Sequence, residues 1–128
     1  MLKDRFVEIK AARLLKDNGF DEVSFKFYDN DENLCNGVNI NRSPKMWSAP
    51  TQTTALEWIR RKYGVHIVID VTCDEDRKSQ EFFYVFKNIS NGRVSFDHME
   101  EYFKKYDDCV EAAIDTFMSR IDGLGMKR

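Results

Sequence analysis

One stretch limits the fold more than any other. Residues 81–89 carry apolar side chains on both faces of an extended chain, Phe82, Tyr84 and Phe86 against Phe83 and Val85. A strand that is apolar on both sides belongs in the middle of a sheet, with cover above and below. Directly after it, Ser90-Asn91-Gly92-Arg93 is a two-residue hairpin signal, because Asn and Gly accept the two positive φ angles of a type I′ turn. That turn sets a register of Ile89 opposite Val94 and Lys87 opposite Phe96, with His98 near Val85. On the N-terminal side, Val65, Ile67, Ile69 and Val71 alternate with His66, Val68 and Asp70, which predicts another strand. A polar connection, Cys73 to Ser79, joins the two.

Helical periodicity predicts three helices. The last, about Tyr106 to Ile121, puts Tyr106, Cys109, Val110, Ala113, Phe117 and Ile121 on one stripe and Asp108, Glu111, Asp115 and Ser119 opposite it. The middle one follows Ala49-Pro50-Thr51, with Thr51 as N-cap and Gly64 as terminator. Gln52, Ala55, Leu56, Ile59 and Tyr63 share its inner face, and Trp58 lies beside them. The first is expected from Leu2 to Asn18, closed by a left-handed Gly19 with Phe20 folding back. It would carry two stripes, Val7-Ala11-Leu14-Leu15 and Leu2-Phe6-Ile9. A surface helix needs only one. The second stripe is therefore either a wedge inside the same domain or a contact with a partner.

Between the first two helices, Val23, Phe25 and Phe27 alternate with Ser24 and Lys26, which predicts a strand at the edge of the sheet. Residues 29–50 then run long for a structureless loop. They hold either a short strand near Val38-Asn39-Ile40 or a mobile flap, its far end pinned by Met46 and Trp47. Residues 97–105 either extend a strand or form a short helix capped at Asp97. The expected fold is α+β: an antiparallel sheet of three to four strands packed by helices, in the order α-β-α-β-β-β-α. One domain spans 1–128, with a frayed tail from about 123.

A chain of 128 residues, 42% hydrophobic and 33% charged, can bury a core without staples. Ten Phe, five Tyr and two Trp exceed what that core needs, so a surplus is free to cover a partner. Net charge is −2, with 11 basic against 9 acidic residues in 1–64 and 9 against 13 in 65–128. This is not the strongly basic field of an electrostatic nucleic-acid binder. No apolar run reaches membrane-spanning length, and the charged N-terminus lacks a signal-peptide core. Cytoplasmic residence is the expectation. Cys35, Cys73 and Cys109, odd in number and widely spaced, suit free thiols rather than a disulfide framework or a zinc pair.

The chemistry-bearing residues form no motif. Asp29, Asp31 and Asn33 copy the start of an EF-hand loop, but Leu34 stands in place of its turn Gly and Ile40 in place of its bidentate Glu. That leaves a solvated Asx-rich loop. Asp74, Glu75 and Asp76 read as a solvated hairpin tip. His66 and His98 are not at metal-ligand spacing from Cys or from each other. No Walker-type or dinucleotide glycine pattern occurs. No catalytic, cofactor-binding or metal residue is assigned, and no enzymatic activity is expected. Arg60, Arg61 and Lys62 close a helix where cations suit the dipole. With Lys104 and Lys105 they are the candidate phosphate contacts.

From Thr51 onward the expected order α-β-β-β-α resembles a double-stranded RNA-binding domain. That family's RNA contacts need a basic N-terminus on the last helix beside a Gly-rich loop. Here the stretch is Lys104-Lys105-Tyr106-Asp107-Asp108, with Glu111 and Asp115 beyond. Only Lys104 and Lys105 match, and the carboxylates oppose phosphate. Ala49-Pro50-Thr51 leading into 56–67, the run 106–114 and the run 11–20 are similar to segments of small uncharacterised proteins carried by bacterial phages and prophages. These segments cover about a third of the chain, and 97–105 is longer than that pattern. The resemblance implies a genomic setting and no site residues.

The functional reading is a non-enzymatic protein-interaction domain in a phage or prophage context. Its partner is another protein or a second copy, contacted through Leu2, Phe6 and Ile9. A nucleic-acid-binding module built on the α-β-β-β-α core is the alternative, and a membrane partner is not expected.

Overall fold

The computed structural model describes residues 4–73, 80–90, 93–98 and 101–124. They form an α+β protein of two compact units, Met1–Ala55 with Ile114–Arg128, and Leu56–Ala113. The elements in chain order are α1 (Ile9–Asp17), β1 (Ser24–Tyr28), β2 (Leu34–Asn39), β3 (Trp47–Ser48), α2 (Gln52–Tyr63), β4 (Val65–Cys73), β5 (Gln80–Ser90), β6 (Arg93–His98) and α3 (Tyr106–Leu124). The expected order had one strand between the first two helices; the chain has three. The expected single sheet is instead two antiparallel sheets, ordered β2-β1-β3 and β4-β5-β6.

The second sheet follows the sequence closely. β5 is central, and Ile89 pairs with Val94, Lys87 with Phe96 and Val85 with His98. The turn residues 91 and 92 themselves lie outside the described residues. Asymmetric use of β5 explains residues 97–105. β6 pairs with its C-terminal half, and the segment after β6 returns to its N-terminal half. There Phe82 and Phe103 exchange two backbone hydrogen bonds of 2.7 and 2.8 Å. Aromatic contacts line this seam, with Phe83 against Tyr102 at 5.9 Å and Phe82 against Tyr106 at 5.7 Å. Tyr84, fully buried, lies 6.3 Å from the Phe103 ring.

The helices differ from expectation at one end. α1 starts at Ile9, not Leu2. Residues 5–7 are extended because their backbone has a better use. Val7 N donates to Pro50 O at 2.9 Å, and Arg5 O accepts from Gln52 N at 2.7 Å, so the entry to α2 is bonded by this segment. The Asp4 carboxylate also accepts from Thr53 N at 3.3 Å. A helix leaves its first amide donors unpaired, so an extended strap there satisfies groups that a longer α1 would not. The C-terminal end of α1 is as expected: Gly19 sits at φ 95° and Phe20 N reaches back to Leu15 O at 2.9 Å. Thr51 caps α2 through Oγ1, which accepts from Thr54 N at 3.2 Å, and Gly64 ends it at φ 70°.

In the first unit the buried apolar residues include Val7, Ala11, Leu15 and Phe20, with Ile114, Phe117, Met118 and Ile121 from α3. In the second they include Ile59, Tyr63, Val65, Tyr84, Phe86 and Val110. α3 is covered over more of its circumference than one stripe, so Glu111, expected on the wet face, is buried. Among the described residues no helix is long and apolar enough to cross a membrane.

Candidate functional site

β1 has its polarity inverted. The sequence shows Val23, Phe25 and Phe27 alternating with Ser24 and Lys26 without saying which set faces inward. In the structure Ser24 is 3% exposed while Phe25 is 70% exposed. The inner side is polar and occupied. Tyr28 OH donates to Val7 O at 2.7 Å, and the Lys26 ammonium lies 4.8 Å from the centre of the Phe6 ring. Across the strand, Asn39 Nδ2 donates to Ser48 Oγ at 2.9 Å within the buried layer. A strand whose inner positions are filled by polar partners has its apolar residues left for the outer face.

A bulge shapes that outer face. Ser24 pairs with Asn39 and Lys26 with Asn36, so Gly37 and Val38 together stand opposite Phe25. Gly37 adopts φ 153°, and a Cβ there would meet Phe27 Cε1 at 3.0 Å. The ring thus lies over the glycine, and Val38, 66% exposed, stands opposite Phe25. Val23, two residues before Phe25, extends the apolar surface at 55% exposure.

The two ends of β2 are held firmly. At the first, Asp29 Oδ1 accepts from Asp31 N and Asn33 N, each at 2.9 Å. The Asn33 amide lowers the Asp29 pKa, desolvation opposing it and the Asp31 amide adding to it. This is an Asx turn that presents Asp31 and Glu32 to solvent. At the second, Ser48 N donates to Asn41 Oδ1 at 2.7 Å and Asn41 Nδ2 to Phe20 O at 2.9 Å. Lys16 fastens the loop to α1, donating to Ser43 O and to Met46 O, the latter at 2.8 Å. Its ammonium and the Arg13 guanidinium flank the Trp47 ring at 5.3 and 5.2 Å. Burial lowers the Lys16 pKa, with Asp17 opposing. Residues 29–50 therefore hold two strands and a pinned loop, not a flap.

The residues singled out from sequence stand apart from this surface. Leu2 lies outside the described residues. Phe6 precedes α1, half-buried and bridged to Thr51, and Ile9 is the first residue of α1, so these two share no helical stripe. Arg60 and Arg61 are exposed at the end of α2, with Arg60 3.7 Å from Glu57. Lys62 lays its ammonium 4.9 Å from the Trp58 ring centre. Lys104 and Lys105 are exposed just before α3, whose first turn carries Asp107 and Asp108. Cys73 is exposed and Cys35 half-buried, with its thiol 3.6 Å from Asp29 Oδ2. Cys109 is fully buried, and desolvation first, then Glu101, pushes its thiol up to about 12. His66 pairs with Lys87 in the sheet. Asp74, Glu75 and Asp76 lie outside the described residues.

Sequence reasoning missed Phe25 and Val38 as surface groups. A usable signal existed in the polar residues of β1 and β2. Ser24 and Asn39 sit in one cross-strand pair and both are buried, Asn39 bonded to Ser48 and the Ser24 hydroxyl without a hydrogen-bond partner among the described residues. Elsewhere in the first unit an open groove of about 410 Å³ is lined by Lys10, Asp115, Thr116, Ser119 and Arg120. Among the described residues no three His, Cys, Asp or Glu side chains are arranged to hold a metal. The chain matches no family model, no curated protein and no solved structure.

Proposed function

We propose that this chain is a non-enzymatic protein-interaction domain acting in the phage or prophage setting that its segments resemble. The observation that carries the reading is the inverted strand, with Phe25 and Val38 in water above a polar inner layer. Contiguous exposed apolar side chains on a small protein mark a surface that another body covers. An aromatic anchor such as Phe25 is the residue type on which binding energy concentrates. Both side chains are already exposed, so replacing them with charge leaves the packing beneath intact. Their removal therefore separates binding from folding.

The test is affinity capture from the host under phage induction, comparing the wild type with a Phe25→Glu, Val38→Glu variant of matched circular dichroism. The expected result is a specific protein retained by the wild type and reduced about tenfold or more in the variant. Equal retention by both proteins refutes this surface as the interaction site. Retention of nucleic acid alone, falling with salt, replaces the reading with the nucleic-acid alternative.

A further inference from the structure

We infer that the partner of this surface is a second copy of the chain, added antiparallel along the free edge of β2. The inference rests on the reading of the Phe25–Val38 face as a docking surface and names its occupant. Among the described residues β2 pairs with β1 alone, so its other edge has no strand beside it. The opposite edge of that sheet, β3, is two residues long and cannot template a strand. Exposed edges are ordinarily blunted by Lys, Glu or Pro. The six residues of β2, Leu-Cys-Asn-Gly-Val-Asn, contain none of these, and the bulge at Gly37 and Val38 limits the edge without closing it.

Charge selects the occupant and its direction. Asp31 stands three residues before Leu34, and Arg42 three residues after Asn39, so the strand has an acidic end and a basic end. Glu32 reinforces the first and Lys45 the second, and all four side chains are exposed. Arg13 already holds Glu32 at 2.9 Å, which leaves Asp31 as the main acidic group facing outward. Antiparallel self-pairing brings the acidic end of each copy to the basic end of the other, twice, about a two-fold axis. Parallel pairing would align like charges, which is strongly disfavoured. The same geometry sets Val38 of each copy at the new seam, on the face that carries Phe25. The bulge at Gly37 and Val38 keeps the pairing short, so the contact is reversible rather than fibre-forming.

The experiment is sedimentation velocity on the full chain, over a dilution series from about 1 mM to about 10 μM. The wild type is expected to dimerise with concentration and to dissociate as salt is raised. Val38→Lys, at an exposed position, should raise the dissociation constant at least about tenfold. Arg42→Glu with Lys45→Glu should weaken self-association, and so should Asp31→Lys. An equimolar mixture of these two proteins should associate more tightly than either alone, because each then meets opposite charge. A dimer indifferent to Val38→Lys, or a mixture no tighter than its components, overturns the inference. A wild type that stays monomeric while Phe25→Glu still abolishes capture of another protein overturns the inference and leaves the proposed function standing. A monomer whose capture is also indifferent to Phe25 overturns both.

Discussion

Gly37→Ala tests whether the bulge that sets the outer face is specified by its glycine. Two effects act against a Cβ there. The backbone sits at φ 153°, a region that L side chains rarely adopt, and holding one there costs about 1–2 kcal/mol. The added carbon would also meet Phe27 Cε1 at 3.0 Å. Phe27 is half-buried, so its ring can yield by a few tenths of an ångström at about 0.5–1 kcal/mol. The sum, roughly 1.5–3 kcal/mol, is a large share of the stability of a small domain. Urea unfolding followed by far-UV circular dichroism gives the difference. Repeating the substitution in a Phe27→Ala background removes the ring but not the backbone strain, so the loss there should fall to about 1–2 kcal/mol. A Gly37→Ala protein within about 0.5 kcal/mol of wild type would refute the reasoning, since it would mean that the strand accepts another register at no cost.

Cys109 should resist a thiol reagent in the folded protein, whereas Cys73 reacts at once, and urea should expose it in step with unfolding. Its folded pKa, about 12, lies above the unfolded 9.0, so the folded state keeps a proton that the unfolded state loses. Its contribution is intact below pH 9 and declines as pH climbs toward 12. Cys109→Ala should flatten that decline, and an unchanged alkaline profile counts against the burial. Lys16→Met removes two bonds to loop carbonyls and a cation over Trp47, and should cost about 1–2 kcal/mol locally. Trypsin should then cut after Arg42 and Lys45 several-fold faster, while an unchanged cutting rate means that the loop is held by Asn41 and Ser48 instead.

The second sheet was legible because its information is local. Asn91-Gly92 fixes a turn chemistry, and a two-residue turn leaves one register, so pairings as far apart as Val85 and His98 followed from four residues. The Thr51 cap and the Gly19 and Gly64 terminators were legible for the same reason, since a helix end is specified within a turn or so. The extent of α1 was not. Residues 2–9 have helical periodicity, but Arg5 and Val7 bond to Pro50 and Gln52, over forty residues away. A tertiary partner outbid a local preference that is weak in any helix start. Nothing in the spacing of Leu2, Phe6 and Ile9 could report that.

The candidate surface was hidden by a different cause. Alternation in a strand shows that two faces differ, but it does not say which one is inside. Apolar-in is the usual assignment, and it fails where the inner layer is supplied by hydrogen-bonded polar groups. Here Tyr28 reaches Val7 O, Lys26 covers Phe6, and Asn39 meets Ser48, so these inner positions hold polar or amphipathic side chains, while the buried Ser24 Oγ has no hydrogen-bond partner among the described residues. Phe25 and Val38 are then left outside by parity alone. A chain that keeps two large apolar side chains exposed forgoes the stability that burying them would bring, about 2 kcal/mol each. On the proposed reading, that forfeited burial is recovered when a second surface closes over β1 and β2.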